Sequence, residues 1–432
     1  MSRAGVALER VRAVFASPEV TAAFATTAIG AAVLAVPIRS LIGDIGWSTI
    51  VITLALIATA TLIARGRDSR SPTILPITVI VAVGWAVLSI AWTATRWATI
   101  GSLIPMVGLA IIAIAIATVR DQVQILRAFA DVARFALVLS LTLELLSGIL
   151  LDTPFGFLGI EGNLAEFGPI QGIAGSSDRM GVFAVIAAIT FGVEWFTRAI
   201  PRGLSLASMI AAMLVFAFAN SGVAAIVVVV VGISVAMLAV LRRVSDTTRR
   251  TLNWVIVGVL GVVATVSWLL RGALIVALDS STSNRDLIDL WQASWSMIDL
   301  KPVTGWGWIG QWNVDLSPYR FIAVRVPGDP GSASNAVLDL LLQLGVVGLL
   351  AVAALAALAI VRTWRLATTA KPVIALWPPL VLIALGAASV ADSLVLTDWG
   401  WLLLVIGAGI GSRRAGWGRV AAGNGSDRAG VR

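Results

Sequence analysis

Apolar runs of about 20 residues recur along the whole chain, divided by short polar turns. That length lets a helix cross a bilayer core. The pattern predicts spans at roughly 20–40, 46–64, 73–92, 99–118, 130–150, 180–197, 204–219, 223–241, 252–276, 334–361, 373–390 and 398–411. Within lipid each must be helical, because a lone strand leaves its backbone groups unpaired. The expected fold is all-α: a polytopic membrane protein of about 12 transmembrane helices, forming one transmembrane domain over residues 1–432. A soluble protein with an apolar core does not explain runs so long and so many. The first run, Val20 to Pro37, is a full span rather than a short signal core, so it reads as retained.

Two stretches break the rhythm. Leu151 to Asp178 is moderately apolar and rich in Gly and Pro, and suggests a partly re-entrant or surface-lying segment. The second runs over about 277–333, a large extracytoplasmic loop; loops that long are usually functional or disordered. Here helical periodicity and five tryptophans argue for order. Ser283-Asn284-Arg285-Asp286 reads as a capping box that starts a short amphipathic helix ending before Lys301-Pro302. Leu287, Leu290, Trp291, Ser294, Trp295 and Ile298 form one face; Arg285, Asp289, Gln292, Ser296 and Asp299 form the other. Such a helix is expected to lie on the outer membrane surface, apolar face down.

Charge orients the spans. Most of the 31 basic residues fall in alternate loops, from Arg3, Arg10 and Arg12 to Arg413, Arg414 and Arg419. The intervening loops carry acids instead: Asp44, Asp152, Asp178, Asp392 and Asp398 among them. The positive-inside rule then puts both termini in the cytoplasm of a multi-pass protein of the cytoplasmic (inner) membrane. The basic tail, about 412–432, is expected to be disordered and to touch anionic lipid. The net charge of +8 therefore reports topology rather than nucleic-acid binding.

Overall composition agrees, with 59% hydrophobic and 12% charged residues. Mean hydropathy is +0.96. The 17 tryptophans fall mostly near span ends, where interfacial anchoring accounts for them. Cysteine and histidine are absent, which removes thiol chemistry, disulfides, and the commonest general base and metal ligand. No zinc, Walker or dinucleotide motif is present, so no cofactor, metal or nucleotide site is expected.

Several polar groups stand out. Arg285 is either half of a pair with Asp289 or a phosphate-binding arginine above the bilayer. Arg271, Arg320 and Arg325 add positive charge on the acidic side, and Arg179 beside Asp178 is either a local ion pair or a ligand group. Pro302-Val303-Thr304-Gly305-Trp306-Gly307-Trp308 is either an interfacial turn or a platform for a sugar ring or lipid head. Asp339 and Gln343, four apart in the outer half of a span, and Glu144 are costly in a membrane and should face a cavity or a partner. Asn335 can cap that same span.

These residues resemble the O-antigen ligase / O-antigen polymerase superfamily of integral membrane glycosyltransferases. The large loop before the late spans is similar, as are Arg285, the tryptophan-containing helix, and Pro302 followed by Gly305-x-Gly307. Asn335, Leu338, Gln343, Gly345 and Gly348-Leu349 resemble the family's run into the next span, and Gly172-x-x-Gly175 to Gly181 its glycine-rich approach to an earlier one. Two departures stand out: Ser334 occupies the place of the family histidine, and Asn220-Ser221-Gly222 that of an arginine. The resemblance implies a polyprenyl-pyrophosphate-linked glycan as donor, transferred to an acceptor hydroxyl on the outer side. It implies catalytic positions at Arg285, Asp286, Ser334 and Asn335. Substrate contacts would come from Arg179, Arg271, Arg320, Arg325, Glu161, Glu166, Trp291 and Trp306. Without histidine the base would be Asp286, Asp329, Glu161 or Glu166, or the reaction would proceed without a strong base. The lipid bilayer is the other partner, and no oligomeric state is indicated. A transporter or flippase of a lipid-linked or anionic substrate, or a peptidoglycan-type polymerase, are the competing readings.

Overall fold

A computed structural model of the protein describes residues 9, 13–15, 17–65, 76–166, 168–198, 200–255, 282–326 and 330–426. Among the described residues the regular secondary structure is helical, with one isolated antiparallel bridge between Phe155 and Ile160. In chain order the helices are α1 (Pro18–Val33), α2 (Ala35–Arg65), α3 (Ile77–Leu88), α4 (Arg96–Val119), α5 (Gln122–Leu145), α6 (Ser177–Thr197), α7 (Arg202–Ala219), α8 (Gly222–Leu241), α9 (Thr282–Ile298), α10 (Tyr319–Ala323), α11 (Ala336–Thr369), α12 (Trp377–Ala388) and α13 (Asp398–Ser426).

Seven described helices are long and apolar enough to cross a membrane: α2, α4, α5 with its extension to Leu150, α6, α7, α8 and α11. The expected spans at 73–92 and 373–390 appear as shorter apolar helices. The span expected at 252–276 lies outside the described residues beyond Val255, so it adds no helix to this count. Some boundaries moved for local reasons. The fifth span begins at Gln122 rather than near 130, because Asp121 and Gln124 form a reciprocal capping box that starts the helix early. The last helix runs to Ser426, so the stretch from Ser412 continues a helix rather than forming the disordered tail expected. Helix α2 is broken at Gly43, with φ of 73°, and α11 at Gly345, with φ of 66°. The Gly43 break falls in the turn expected between the first two spans, the Gly345 break was not expected, and both sit where only glycine is unstrained.

Long-range contacts sort the loops into two ends. At one end, arginines donate to carbonyls at helix termini, the groups a helix leaves unpaired. Arg242 Nη2 bonds Lys371 O at 2.9 Å and Pro372 O at 3.0 Å. Arg249 Nη1 bonds Thr368 O at 2.9 Å, and Arg413 Nη1 bonds Arg120 O at 3.1 Å. Arg120 Nη1 reaches Pro18 O at 3.3 Å, so the start of α1 and the α13 residue Arg413 share this end. The other end gathers Asp44, Asp178, Asp392 and Asp398. The charge alternation of the sequence is thus a spatial separation into a basic and an acidic end.

The two irregular stretches both sit at the acidic end. Residues 151–176 form three short 3-10 turns, with Ile170 and Ile173 buried in the main helical core. Glu144 fixes this segment from α5: its Oε1 accepts from Gln171 N at 2.8 Å and Gly172 N at 2.7 Å. An acid inside a span was expected to have a partner, and the partner is the backbone of the re-entrant stretch. The long loop builds a second, smaller core from Leu290, Ala293, Ile298, Ile309, Trp312, Tyr319, Ile322, Leu341 and Leu342. The apolar face of α9 is therefore turned into the loop's own core, against α10 and the start of α11, rather than down onto a membrane surface as expected. Ile288 and Ala293 are buried, whereas Trp295 is exposed. The side chains of Ser283 and Asn284, the expected caps, lie outside the described residues.

Candidate functional site

The acidic end is organised around the break in α11. Gly345 interrupts the helical ladder and leaves nearby carbonyls without helical partners. The loop satisfies them: Trp306 N donates to Leu342 O at 2.9 Å, and Gly307 N to Gln343 O at 2.8 Å. Trp85 Nε1 donates to Leu344 O at 2.9 Å. In return Val346 N donates to Pro302 O at 2.9 Å. The fit is so close that a Cβ on Gly345 would lie 2.1 Å from Val303 O, and one on Gly305 would lie 2.5 Å from Gln343 O. The Gly-Trp-Gly-Trp turn is thus a plug set into a broken helix, and Trp92 Nε1 holds its rim through Thr304 O at 3.0 Å.

Two polar residues in the first half of α11 clamp the loop that precedes it. Gln343 Oε1 accepts from Ile309 N at 2.8 Å and Gly310 N at 2.9 Å, while its Nε2 donates to Gly310 O at 3.1 Å. Asp339, 1% exposed, accepts from Trp312 Nε1 at 2.6 Å and Ala333 N at 3.2 Å, and also from the Ser393 hydroxyl. Burial, with Asp339 adding to the effect, pushes the phenol of Tyr319 well above its ordinary value. Tyr319 therefore stays protonated at neutral pH and is not a base.

Ser393 belongs to the short connection between α12 and α13, which joins distant parts of this end. Asp392 accepts from Arg179 Nε at 3.1 and 3.3 Å. Asp398 receives Arg39 in a bidentate pair at 2.6 and 2.7 Å. Val390 O accepts from Asn335 Nδ2 at 2.9 Å, and Ser389 O from Ala336 N at 3.0 Å. Arg179 thus pairs across 213 residues, not with its neighbour Asp178, which instead accepts from Ser221 in the α7–α8 hairpin.

The expected site residues divide into three groups. Arg179, Ser334 and Asn335 meet around the 389–393 connection. Asn335 caps α11, its Oδ1 accepting from Val337 N at 2.9 Å and Leu338 N at 3.2 Å. Ser334 holds a left-handed conformation, with φ of 49°. Trp291 joins this group through Ala333 O at 3.0 Å, and Trp306 ties the turn to the end of α9 through Met297 O at 3.0 Å. Arg285 and Asp286 are exposed at the head of α9, about 9 Å of helix rise from Trp291. A second group lies apart. Arg320 and Arg325 are exposed beyond α9, with Arg325 Nη1 on Ser296 Oγ at 3.2 Å. Glu161 is exposed and accepts from Asn163 Nδ2 at 2.8 Å within the 151–176 segment. The third group, Arg271, Asp329 and the side chain of Glu166, lies outside the described residues. Among the described residues, no three acidic side chains gather as metal ligands would.

Sequence reasoning missed Arg39, Asp392, Ser393 and Asp398 as site-forming groups. Their signal was present but weak: an arginine on the acidic side, and two acids in one short loop. No curated protein matches the chain. Residues 209–353, from within α7 through the long loop into α11, match the family model described as O-Antigen ligase. That match supports the O-antigen ligase superfamily for this multi-pass helical membrane chain.

Proposed function

We propose that the protein is a membrane glycan ligase or polymerase that transfers a polyprenyl-pyrophosphate-linked glycan to an acceptor hydroxyl at its acidic, outer end. The observation that carries the reading is the match over residues 209–353, which contains the long loop and the broken helix it plugs. With basic loops cytoplasmic, the loop faces outward, where no nucleotide donor is supplied.

In the proposed step the acceptor oxygen attacks the anomeric carbon as the bond from that carbon to the pyrophosphate oxygen breaks. The electron pair leaves on the pyrophosphate. Arg285 is positioned at the exposed head of α9 to meet that growing charge with its planar fork. Asp286, exposed beside it, takes the acceptor's proton. Asn335 fixes the loop's end against the 389–393 connection through Val390 O, so that the acceptor approaches a rigid wall with Ser334 beside it in the chain.

Lipid-linked glycans in a strain lacking the protein test this reading. Accumulated single repeat units mark a lost polymerase, and accumulated full-length chains a lost ligase. An unchanged lipid-linked pool would overturn transfer altogether.

A further inference from the structure

The turn between α9 and the plug leaves apolar side chains uncovered. Leu300 is 65% exposed, Val303 is 58% exposed, and Pro302 between them is exposed as well. They form one apolar tip rather than isolated surface residues. The helix that the tip touches shows what covers it. Pro302 O accepts from Val346 N at 2.9 Å, and Val303 O lies against Gly345. Val346 heads an exposed stripe along α11 that continues through Leu350, Ala353, Ala357 and Val361. That spacing of three and four keeps the stripe on one face. Every residue from Val346 to Val361 is apolar, and Arg362 follows at once. On a helix long and apolar enough to cross a membrane, such a face is the one that lipid covers.

From Arg362 back to Val346 the helix rises about 24 Å, less than the roughly 30 Å of hydrocarbon it must cross. Measured from Arg362, the far boundary of the hydrocarbon therefore falls a few ångströms beyond Val346, at the level of the turn. A turn at that depth needs its backbone groups met within the protein. Here Lys301 O accepts from Gly305 N at 3.0 Å, Pro302 O from Val346 N, and Thr304 O from Trp92 Nε1 at 3.0 Å. Lys301 is half-buried, with Nζ 4.4 Å from the centre of the Trp306 ring. Among the described residues it makes no ion pair, and Asp299, its nearest acid in the chain, is exposed. A lysine braced on a tryptophan beside an apolar tip suits the boundary where lipid phosphates lie.

We propose that the turn at 300–303 dips into the bilayer leaflet at the acidic end. Leu300 and Val303 enter among the acyl chains, and Lys301 meets the phosphate of an anionic phospholipid. The long loop thus touches lipid through this turn and not through α9, whose apolar face its own core already covers. The proposal does not depend on glycan transfer and uses none of the residues assigned to that step.

Cysteine is absent from the chain, so a single introduced cysteine carries a label uniquely. Leu300→Cys and Val303→Cys, each bearing a bimane fluorophore, are placed in nanodiscs that hold one copy of the protein. Both side chains are exposed, so neither change opens the core. Leu350→Cys on the stripe and Gln292→Cys on the exposed polar face of α9 are the references. Lipids brominated in their acyl chains should quench the labels at Leu300 and Val303 at least threefold more than the label at Gln292, and about as much as that at Leu350. Quenching as weak as at Gln292 overturns the insertion. Protection of both labels from aqueous iodide only when two copies share a disc would assign the tip to a second copy, and also overturns it. For the head group, brominated phosphatidylglycerol, as a minor part of a phosphatidylcholine disc, should quench the Val303 label about twofold more than the same fraction of brominated phosphatidylcholine. Lys301→Gln should abolish that preference and leave quenching in wholly brominated phosphatidylcholine unchanged. No preference in the parent, or one that survives Lys301→Gln, overturns the phosphate contact.

Discussion

The acidic end is built from two connections of very different length. The loop between residues 282 and 335 is long, tryptophan-rich and studded with exposed charge. The link between α12 and α13 is short, and it carries Asp392, Ser393 and Asp398, all less than 10% exposed. The long loop exposes its charge; the short link buries its own. Arg285, Asp286, Arg320 and Arg325 on the loop face solvent, whereas each acid of the link is locked onto an arginine from a distant helix. Charge at this end of the protein is therefore sorted by exposure.

The largest effect should come from the link. Arg179→Ala leaves Asp392 buried without its cation, and Asp392→Ala leaves the guanidinium of Arg179 without its carboxylate. Breaking a buried pair in this way costs about 3–5 kcal/mol. Either single variant should melt well below the parent in detergent, and the double variant should recover part of the loss. A double variant that is the sum of the two singles would show that the pair is not a stabilising unit.

Next comes the plug. Gly345→Ala introduces a Cβ 2.1 Å from Val303 O at a backbone geometry open essentially to glycine alone. Strain of about 1–3 kcal/mol is expected before any clash is counted. The loop should lift off α11, and limited proteolysis should cut between 300 and 335 much faster than in the parent. Unchanged protection would mean that the plug is not what holds the loop down.

This contrast explains what the sequence could show. Hydropathy and charge alternation revealed the helical membrane fold, because one-dimensional periodicity carries both. The special status of Asp339, Gln343 and Glu144 was also visible, since an acid or amide inside an apolar run needs a partner. What they bind was not visible: all three hold backbone N–H groups, which have no sequence identity, and the side chains that also donate to Asp339, Trp312 and Ser393, lie 27 and 54 residues away. The pairs Arg39–Asp398 and Arg179–Asp392 join residues 359 and 213 apart, a separation that no local pattern encodes. The inward packing of α9 was hidden for a related reason. An amphipathic face reads the same whether lipid or a loop core covers it.

Asn335→Ala should have a smaller effect, because it removes a helix cap and one bond to Val390 O. A lost cap costs about 1 kcal/mol. Asn335→Ser keeps the cap but loses the amide that donates to Val390 O, so it should restore melting temperature and leave glycan transfer lowered if that bond positions the wall. Full transfer in Asn335→Ser would show that the bond to Val390 O positions nothing the reaction uses.

Arg285→Ala should disturb the fold least and the function most. Arg285 is exposed at the first turn of α9, the second core lies on the opposite side of that helix, and surface substitutions away from buried contacts seldom alter stability appreciably. Melting temperature and membrane abundance should therefore match the parent. Glycan assembly should nevertheless fail, because the developing pyrophosphate charge loses its arginine. Arg285→Lys keeps the charge but loses the bidentate fork, so it should transfer slowly rather than not at all. Full activity in Arg285→Ala would move the leaving-group role to another arginine of the acidic end. A fall in melting temperature as large as that of Arg179→Ala would erase the distinction between exposed charge for chemistry and buried charge for frame.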